Sequence, residues 1–172
     1  MPVLVAYASK HGSTQGIAER IAAILRASGL EVDLAAAEDA GDPAGYDAFV
    51  IGSAVYASRW MAPASEFIRR NGALLAGRPV WLFSVGPVGR RIPLPATLPR
   101  ALAALGDSTG ARDHHVFRGA IDASKPRGVE HLIRLFLPQG DFRDWPDIEA
   151  WATGIASELR DPATAPVLKR RP

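Results

Sequence analysis

The sequence predicts an α/β three-layer sandwich, in which a five-stranded parallel sheet of order 2-1-3-4-5 carries helices on both faces. Short apolar runs alternate with amphipathic stretches along the chain, and this alternation is typical of parallel strands joined by crossover helices. The strand-like runs are largely apolar, as expected for strands buried on both faces. With 172 residues, 48% of them hydrophobic, the chain is large enough for one domain with such a core.

Five strands are predicted from runs of apolar and β-branched residues that end at small or turn-forming residues. We expect the second strand to lie nearer an edge of the sheet. The expected strands are residues 3–8, 31–36, 48–53, 79–86 and 114–121.

Helical stretches lie between and after these strands. In the first, Ile17, Ile21 and Leu25 recur at helical spacing, and Gly29 ends the helix. The expected helices are residues 14–28, 62–75, 98–105, 129–137 and 145–159.

The composition excludes several classes of function. The chain has no cysteine, which excludes disulfides, thiolate metal sites, iron–sulfur clusters and cysteine nucleophiles, so redox chemistry needs an added cofactor. A net charge of +2, without a basic stripe interleaved with aromatic residues, argues against nucleic acid as a partner. We expect residues 1–160 to form the domain and residues 161–172 to form a flexible basic tail.

The ends of the chain and its hydropathy bear on localisation. No apolar run reaches the length of a membrane span, and no charged leader or apolar segment precedes the first strand. We therefore expect a cytoplasmic protein and leave open a peripheral contact with the inner face of the membrane.

The predicted strand order places a ligand beyond the carboxyl ends of strands 1 and 3, where the order reverses. Chemistry should therefore collect in the loops after Ala8, Ser53 and Gly86. The first of these loops reads Ser9, Lys10, His11, Gly12, Ser13 and Thr14.

The first loop has the composition of a site for one phosphate group. It offers three hydroxyls, a glycine that permits close backbone approach and the positive charge of Lys10, at the start of a helix whose dipole favours an anion. It has neither the spacing of a P-loop nor that of a dinucleotide fingerprint. The alternative is that these hydroxyls only cap the helix, but one residue would suffice for that.

This first loop and its flanks resemble the first-strand signature of flavodoxins. The resemblance implies a flavodoxin-like fold that binds FMN non-covalently, with the FMN phosphate held by Ser9 to Thr14. The matching residues are Val5, Ala6, Tyr7, Ser9, Gly12, Thr14, Ala18 and Ile21.

A second resemblance, covering most of the chain, is to the flavodoxin-domain family that contains the menaquinone-dependent protoporphyrinogen oxidases. It implies an oxidoreductase that passes electrons from an organic donor, such as a porphyrinogen, through FMN to a quinone. The segment 122–144 is shorter than in those oxidases. The resemblance rests on residues 7–14, 50–56, 83–85, 117–121 and 143–145.

The second and third loops then contribute the walls of the flavin site. Tyr56 and Trp60 are aromatic residues suited to flank a flat ring, although both would also suit half-buried loop anchors. Arg90 and Arg91 are candidates for binding a substrate carboxylate, or they are solvated loop charges. The resemblance to flavodoxins implies that the remaining contacts with the cofactor come from Ser53, Ala54, Val55, Ser84, Val85, Gly86 and Val88.

No side chain is assigned a catalytic role, because the flavin carries the chemistry. His114 and His115 are adjacent on a predicted strand and point to opposite faces, so we interpret them as structural and predict no metal site. The helical stretch 129–137 either packs on the sheet or approaches a membrane or quinone. Three alternatives stay open: a one-electron carrier flavodoxin, a binding module without flavin, and a deazaflavin in place of FMN.

Overall fold

The computed structural model of the protein describes residues 1–86, 97–121 and 140–161. Its helices are α1 (Ser13–Ala27), α2 (Ala62–Leu75), α3 (Arg100–Thr109) and α4 (Trp145–Arg160). Its strands are β1 (Pro2–Ala8), β2 (Glu31–Ala36), β3 (Ala48–Tyr56), β4 (Arg59–Trp60), β5 (Val80–Val85), β6 (Asp113–Phe117), β7 (Ala120–Ile121) and β8 (Gly140–Asp141). A short 3-10 turn, Pro43–Gly45, precedes β3.

Five strands form a parallel sheet in the order β2-β1-β3-β5-β6. The two-residue strand β4 pairs antiparallel with the end of β3 and lies off this path. Counted along the chain without β4, the parallel strands have the order 2-1-3-4-5, so the predicted fold class is confirmed. The order reverses between β1 and β3, which is where sheets of this kind open a crevice for a ligand.

The sheet separates two hydrophobic cores. Side chains alternate along each strand, so Val3 and Val5 of β1 belong to the core covered by α1 and α4, whereas Leu4 and Ala6 belong to the core covered by α2 and α3. All four side chains are buried. Burying a large aliphatic side chain contributes about 1.5–3 kcal/mol, so the two cores fix the strands, and with them the loops at the strand ends.

The predicted strand 114–121 is wrong beyond Phe117. β5 ends at Val85, and the Gly86 N–H closes the β5–β6 ladder by donating to the Phe117 carbonyl at 2.9 Å. After Arg118 and Gly119 the chain forms β7, which pairs antiparallel with β8 in a separate two-stranded sheet.

Two other boundaries differ from the prediction. β3 continues past Ser53 to Tyr56, because the chain folds back there into β4. α3 begins after Pro99 and ends before Gly110, whose φ of 61° is left-handed and stops the helix, so the prediction of residues 98–105 was misplaced.

Two of the predicted segments lie outside the described residues: the helix 129–137 and the tail from residue 162 onward. Within the described ranges, no helix is both long enough and apolar enough to cross a membrane.

Candidate functional site

The sheet register brings the three predicted loops to one edge. Ala8, Ser53 and Ser84 are lateral neighbours across β1, β3 and β5, so the loops that follow begin side by side. Gly86 lies against the second loop, since a Cβ built on it would be 3.8 Å from the Cβ of Val55. The sheet register therefore brings the starts of the three predicted loops together.

The β1–α1 loop turns sharply into its helix at Gly12. Gly12 has a left-handed φ of 85° and precedes the first residue of α1, Ser13. The Ser9 Oγ accepts a hydrogen bond from the Gly12 N–H at 3.1 Å, which closes the turn. The first turn of α1 has no acidic residue, and no described side chain caps its amides, so its positive dipole end faces the loop. Lys10 and His11 are exposed at the rim.

The two hydroxyls that open α1 have different surroundings. The Ser13 Oγ accepts a hydrogen bond from the Ala120 N–H at 2.8 Å, which ties the loop to β7. Thr14 is only 1% exposed, and its Oγ1 has no hydrogen-bond partner among the described residues. An unpaired buried hydroxyl costs about 1–3 kcal/mol, and a phosphate oxygen would satisfy it. The donors of this loop therefore fit the phosphate that the flavodoxin resemblance implies.

The β3–β4 hairpin presents Tyr56 at the same edge, with 48% of its surface exposed. The two residues at the tip, Ala57 and Ser58, have left-handed φ values of 48° and 61°. Two-residue hairpins prefer this geometry, but they normally place glycine or asparagine there. Each such position costs about 1 kcal/mol or more for other residues, so the hairpin needs support from its surroundings.

Trp60, on β4, is buried rather than exposed at the site. It is 6% exposed, and its indole N–H donates to the Ser84 Oγ at 2.8 Å. The Ser84 Oγ is in turn 2.9 Å from the Nε2 of His114, and the Trp60 and His114 rings meet edge to face with centroids 5.7 Å apart. This placement favours the interpretation of Trp60 as a buried anchor, and its contact with a flavin stays a prediction.

The serines predicted to contact the cofactor from the second and third loops, Ser53 and Ser84, use their hydroxyls inside the protein. The Ser53 Oγ accepts the Met61 N–H at 3.0 Å and donates to the Ala54 carbonyl at 2.9 Å, while Ser84 joins Trp60 and His114. Both serines are fully buried. Their neighbours Ala54, Val55 and Gly86 are partly exposed near the end of the sheet, whereas Val85 is buried in the core covered by α1 and α4.

His114 is the residue that the sequence did not connect with the site. Burial lowers the pKa of its ring from 6.5 to about 4, with Asp113 opposing the shift, so the imidazole is neutral at neutral pH. Its Nδ1 is buried without a partner among the described residues. His115 lies on the opposite face of β6 and contacts Asp147 and Trp151 of α4, which confirms that the two histidines face apart.

Three predicted residues, Val88, Arg90 and Arg91, lie outside the described residues. Among the residues that are described, no group of three or more histidine, aspartate or glutamate side chains could hold a metal ion.

Solved structures that superpose on this chain include flavodoxins. A flavodoxin from the domain Archaea superposes with a TM-score of 0.63 at 16% identity, over 94% of this chain and all of that one. Oxidised flavodoxin 2 from Bacillus cereus superposes with a TM-score of 0.64 at 24% identity, over 92% of this chain and 99% of that one. The class of protein is therefore a flavodoxin-fold α/β domain.

The sequence model described as the flavodoxin domain matches residues 4–133, so the chain belongs to the flavodoxin domain family. Among curated proteins, protoporphyrinogen IX dehydrogenase (quinone) from Escherichia coli strain K12 is 27% identical over 93 residues. The match covers 53% of this chain and 51% of that protein, so the chain spans about half the length of the curated relative.

Proposed function

We propose that this protein binds FMN non-covalently and uses it as an oxidoreductase, with an organic electron donor and a quinone acceptor. FMN binding is supported above all by the Oγ1 of Thr14 at the start of α1, which is buried and has no hydrogen-bond partner in the described part of the chain. A phosphate oxygen accepts hydrogen bonds only, and this loop offers a hydroxyl and backbone amides but no competing carboxylate in the helix's first turn.

The chain's own residues bind and orient the cofactor. The amides of the first turn of α1 and the hydroxyl of Thr14 hold the phosphate, and Lys10 adds positive charge at the rim. Tyr56 flanks one face of the ring system, where an exposed aromatic side chain gains by burial against a flat ligand. The backbone at Val55 and Gly86 borders the ring's polar edge and limits the access of water.

The redox step needs no nucleophile or proton relay from the chain. A bound FMN would supply the redox chemistry, moving two electrons from the donor to the acceptor in each turnover. The donor would lose two protons with them, and the quinone would gain two protons in total on becoming a quinol. The similarity to protoporphyrinogen IX dehydrogenase (quinone) supports a porphyrinogen as donor and a quinone as acceptor.

FMN binding is tested by titrating the protein with FMN and following the quenching of flavin fluorescence. We expect Thr14→Val, which keeps the shape and removes the hydroxyl, to weaken FMN binding about tenfold. The matched control is Thr109→Val, because Thr109 is also fully buried but bonds only to carbonyls of its own helix, α3. A wild-type protein without affinity for FMN would overturn the proposal, and binding of a deazaflavin alone would replace the cofactor.

The reaction is tested anaerobically with FMN-loaded protein, protoporphyrinogen IX as donor and menadione as acceptor, by following porphyrin fluorescence. We expect porphyrin fluorescence to grow faster with the wild-type protein than in two controls. One control contains free FMN without protein, and the other contains the Thr14→Val protein at a sub-saturating FMN concentration. No growth with FMN fully bound would eliminate this donor. Transfer of electrons to a protein acceptor under the same conditions would then favour the carrier alternative.

A further inference from the structure

We propose that Trp60, Ser84 and His114 form a buried clamp that fixes the β3–β4 hairpin and thereby positions Tyr56 beside the cofactor. The positioning of Tyr56 rests on the proposed FMN function, whereas the clamp itself concerns the protein without cofactor. The three are positioning residues, since their polar atoms bond to one another inside the domain.

The hairpin needs an anchor because it is short and strained. β4 has two residues, and the pairs Val55–Trp60 and Tyr56–Arg59 are its whole register with β3. A two-stranded hairpin of this length is not stable alone. The left-handed backbone at both residues of the turn adds a cost that neither residue type offsets.

Trp60 supplies that anchor through its side chain. The indole reaches from β4 to the neighbouring strands β5 and β6, where its N–H donates to the Ser84 Oγ of β5 and its ring meets His114 of β6. The Met61 N–H, one residue further on, donates to the Ser53 Oγ of β3. The end of the hairpin is thus bonded to β3 and β5 and packed on β6, so β4 cannot leave β3 without breaking buried bonds.

The hydrogen bonds of the clamp fix the orientation of its side chains as well as contributing to stability. A neutral imidazole keeps its bond to Ser84 in either tautomer, because the serine hydroxyl donates when Nδ1 carries the proton and accepts when Nε2 does. Buried polar groups that satisfy one another admit few alternative packings. The Nδ1 of His114 stays unpartnered within the described part of the chain, and apolar residues would avoid that cost. The arrangement is therefore suited to fixing a geometry rather than to maximal stability.

The clamp is tested first without FMN, by amide and indole hydrogen exchange measured with nitrogen-15 NMR. In the wild type we expect protection of the Trp60 indole N–H and of the Met61 amide. Ser84→Ala and His114→Leu should exchange at these sites about tenfold faster, whereas His114→Gln, whose side-chain amide can reach Ser84, should restore much of the protection. Thr109→Val is the matched control and should leave both sites unchanged. Unchanged exchange in Ser84→Ala and His114→Leu would overturn the clamp, whatever the result with FMN.

The positioning role is tested by FMN titration in a double-mutant cycle with Tyr56→Ala. We expect Ser84→Ala to weaken FMN binding about fivefold to tenfold in the wild-type background and to have little effect once Tyr56 is alanine. Faster exchange with unchanged FMN affinity, or an equal loss in both backgrounds, would overturn the positioning role and leave the proposed function intact. Absence of FMN binding by the wild type would overturn the proposed function, and the exchange data would still decide whether the clamp exists.

Discussion

The β1–α1 loop and the β3–β4 hairpin border the same candidate site, but the protein builds them in different ways. In the loop, the left-handed position is taken by Gly12, and the bond that closes the turn comes from Ser9 nearby in sequence. In the hairpin, the left-handed positions are taken by Ala57 and Ser58, and the nearest buried anchor reaches from Trp60 to Ser84.

This difference shows two routes to a defined ligand contact. A phosphate is small and charged, so a few consecutive residues with free amides and a hydroxyl are enough to hold it. A flat ring needs a wall at a fixed distance and angle, and a short hairpin acquires one only by connection to the rest of the domain. We therefore expect substitutions in the hairpin's anchor to affect the whole fold, and substitutions in the loop to act locally.

The largest expected effect is that of Trp60→Ala. Removing a buried indole leaves a cavity in the core and frees the hairpin, so the free energy of unfolding should fall by about 3–5 kcal/mol in urea titrations. Trp60→Phe keeps most of the packing and loses the indole N–H, and it should cost about 1–2 kcal/mol. A loss below about 1 kcal/mol for Trp60→Ala would mean that the hairpin does not depend on this anchor.

A smaller effect follows from the pKa of His114. Its pKa is lowered from 6.5 in the unfolded chain to about 4 in the folded protein, so between these values the unfolded state binds more protons. The ionisation of His114 therefore does not affect stability above pH 6.5. As the pH falls from 6.5 to about 4, the free energy of unfolding decreases. We expect a loss of about 2 kcal/mol, less than the full shift implies because the ring keeps some contact with solvent.

This pH dependence is measured as the difference between the wild type and His114→Gln in urea titrations at several pH values. Carboxylates and the other histidines titrate in both proteins and cancel in the difference. As the pH is lowered, the free energy of unfolding should fall more in the wild type than in His114→Gln. Parallel curves would show that the folded protein does not hold this imidazole neutral.

The two regions also differ in how far the sequence predicted them. The β1–α1 loop could be located because its determinants, a strand end, a glycine and hydroxyls at a helix start, lie within one short stretch. The parallel sheet could be predicted from the local alternation of strands and helices, whereas its strand order came from the order that five strands take in flavodoxin-like folds. That these loop residues bind FMN stays a prediction, supported by the unpartnered hydroxyl of Thr14.

The clamp could not be predicted, because its members become neighbours only through the register of the folded sheet. Ser84 was interpreted as a loop contact for the cofactor, and His114 as one of two structural histidines. The register pairs β5 with both β3 and β6, which brings Ser84 within reach of both partners. A buried polar residue on a central strand is a useful signal in hindsight, although it does not name its partner.

The smallest expected effects come from exchanging glycine and alanine between the two regions. Gly12→Ala forces a Cβ into a left-handed position and should cost about 1 kcal/mol of unfolding free energy. Ala57→Gly removes the same penalty in the hairpin and should be neutral or stabilising by about 0.5 kcal/mol, although glycine in an ordinary helix position such as Ala23 should cost about 1 kcal/mol. Urea titration of the three variants measures these changes in the free energy of unfolding. If Ala57→Gly is as harmful as Ala23→Gly, the hairpin turn carries no strain, and the clamp is holding a turn that would form without it.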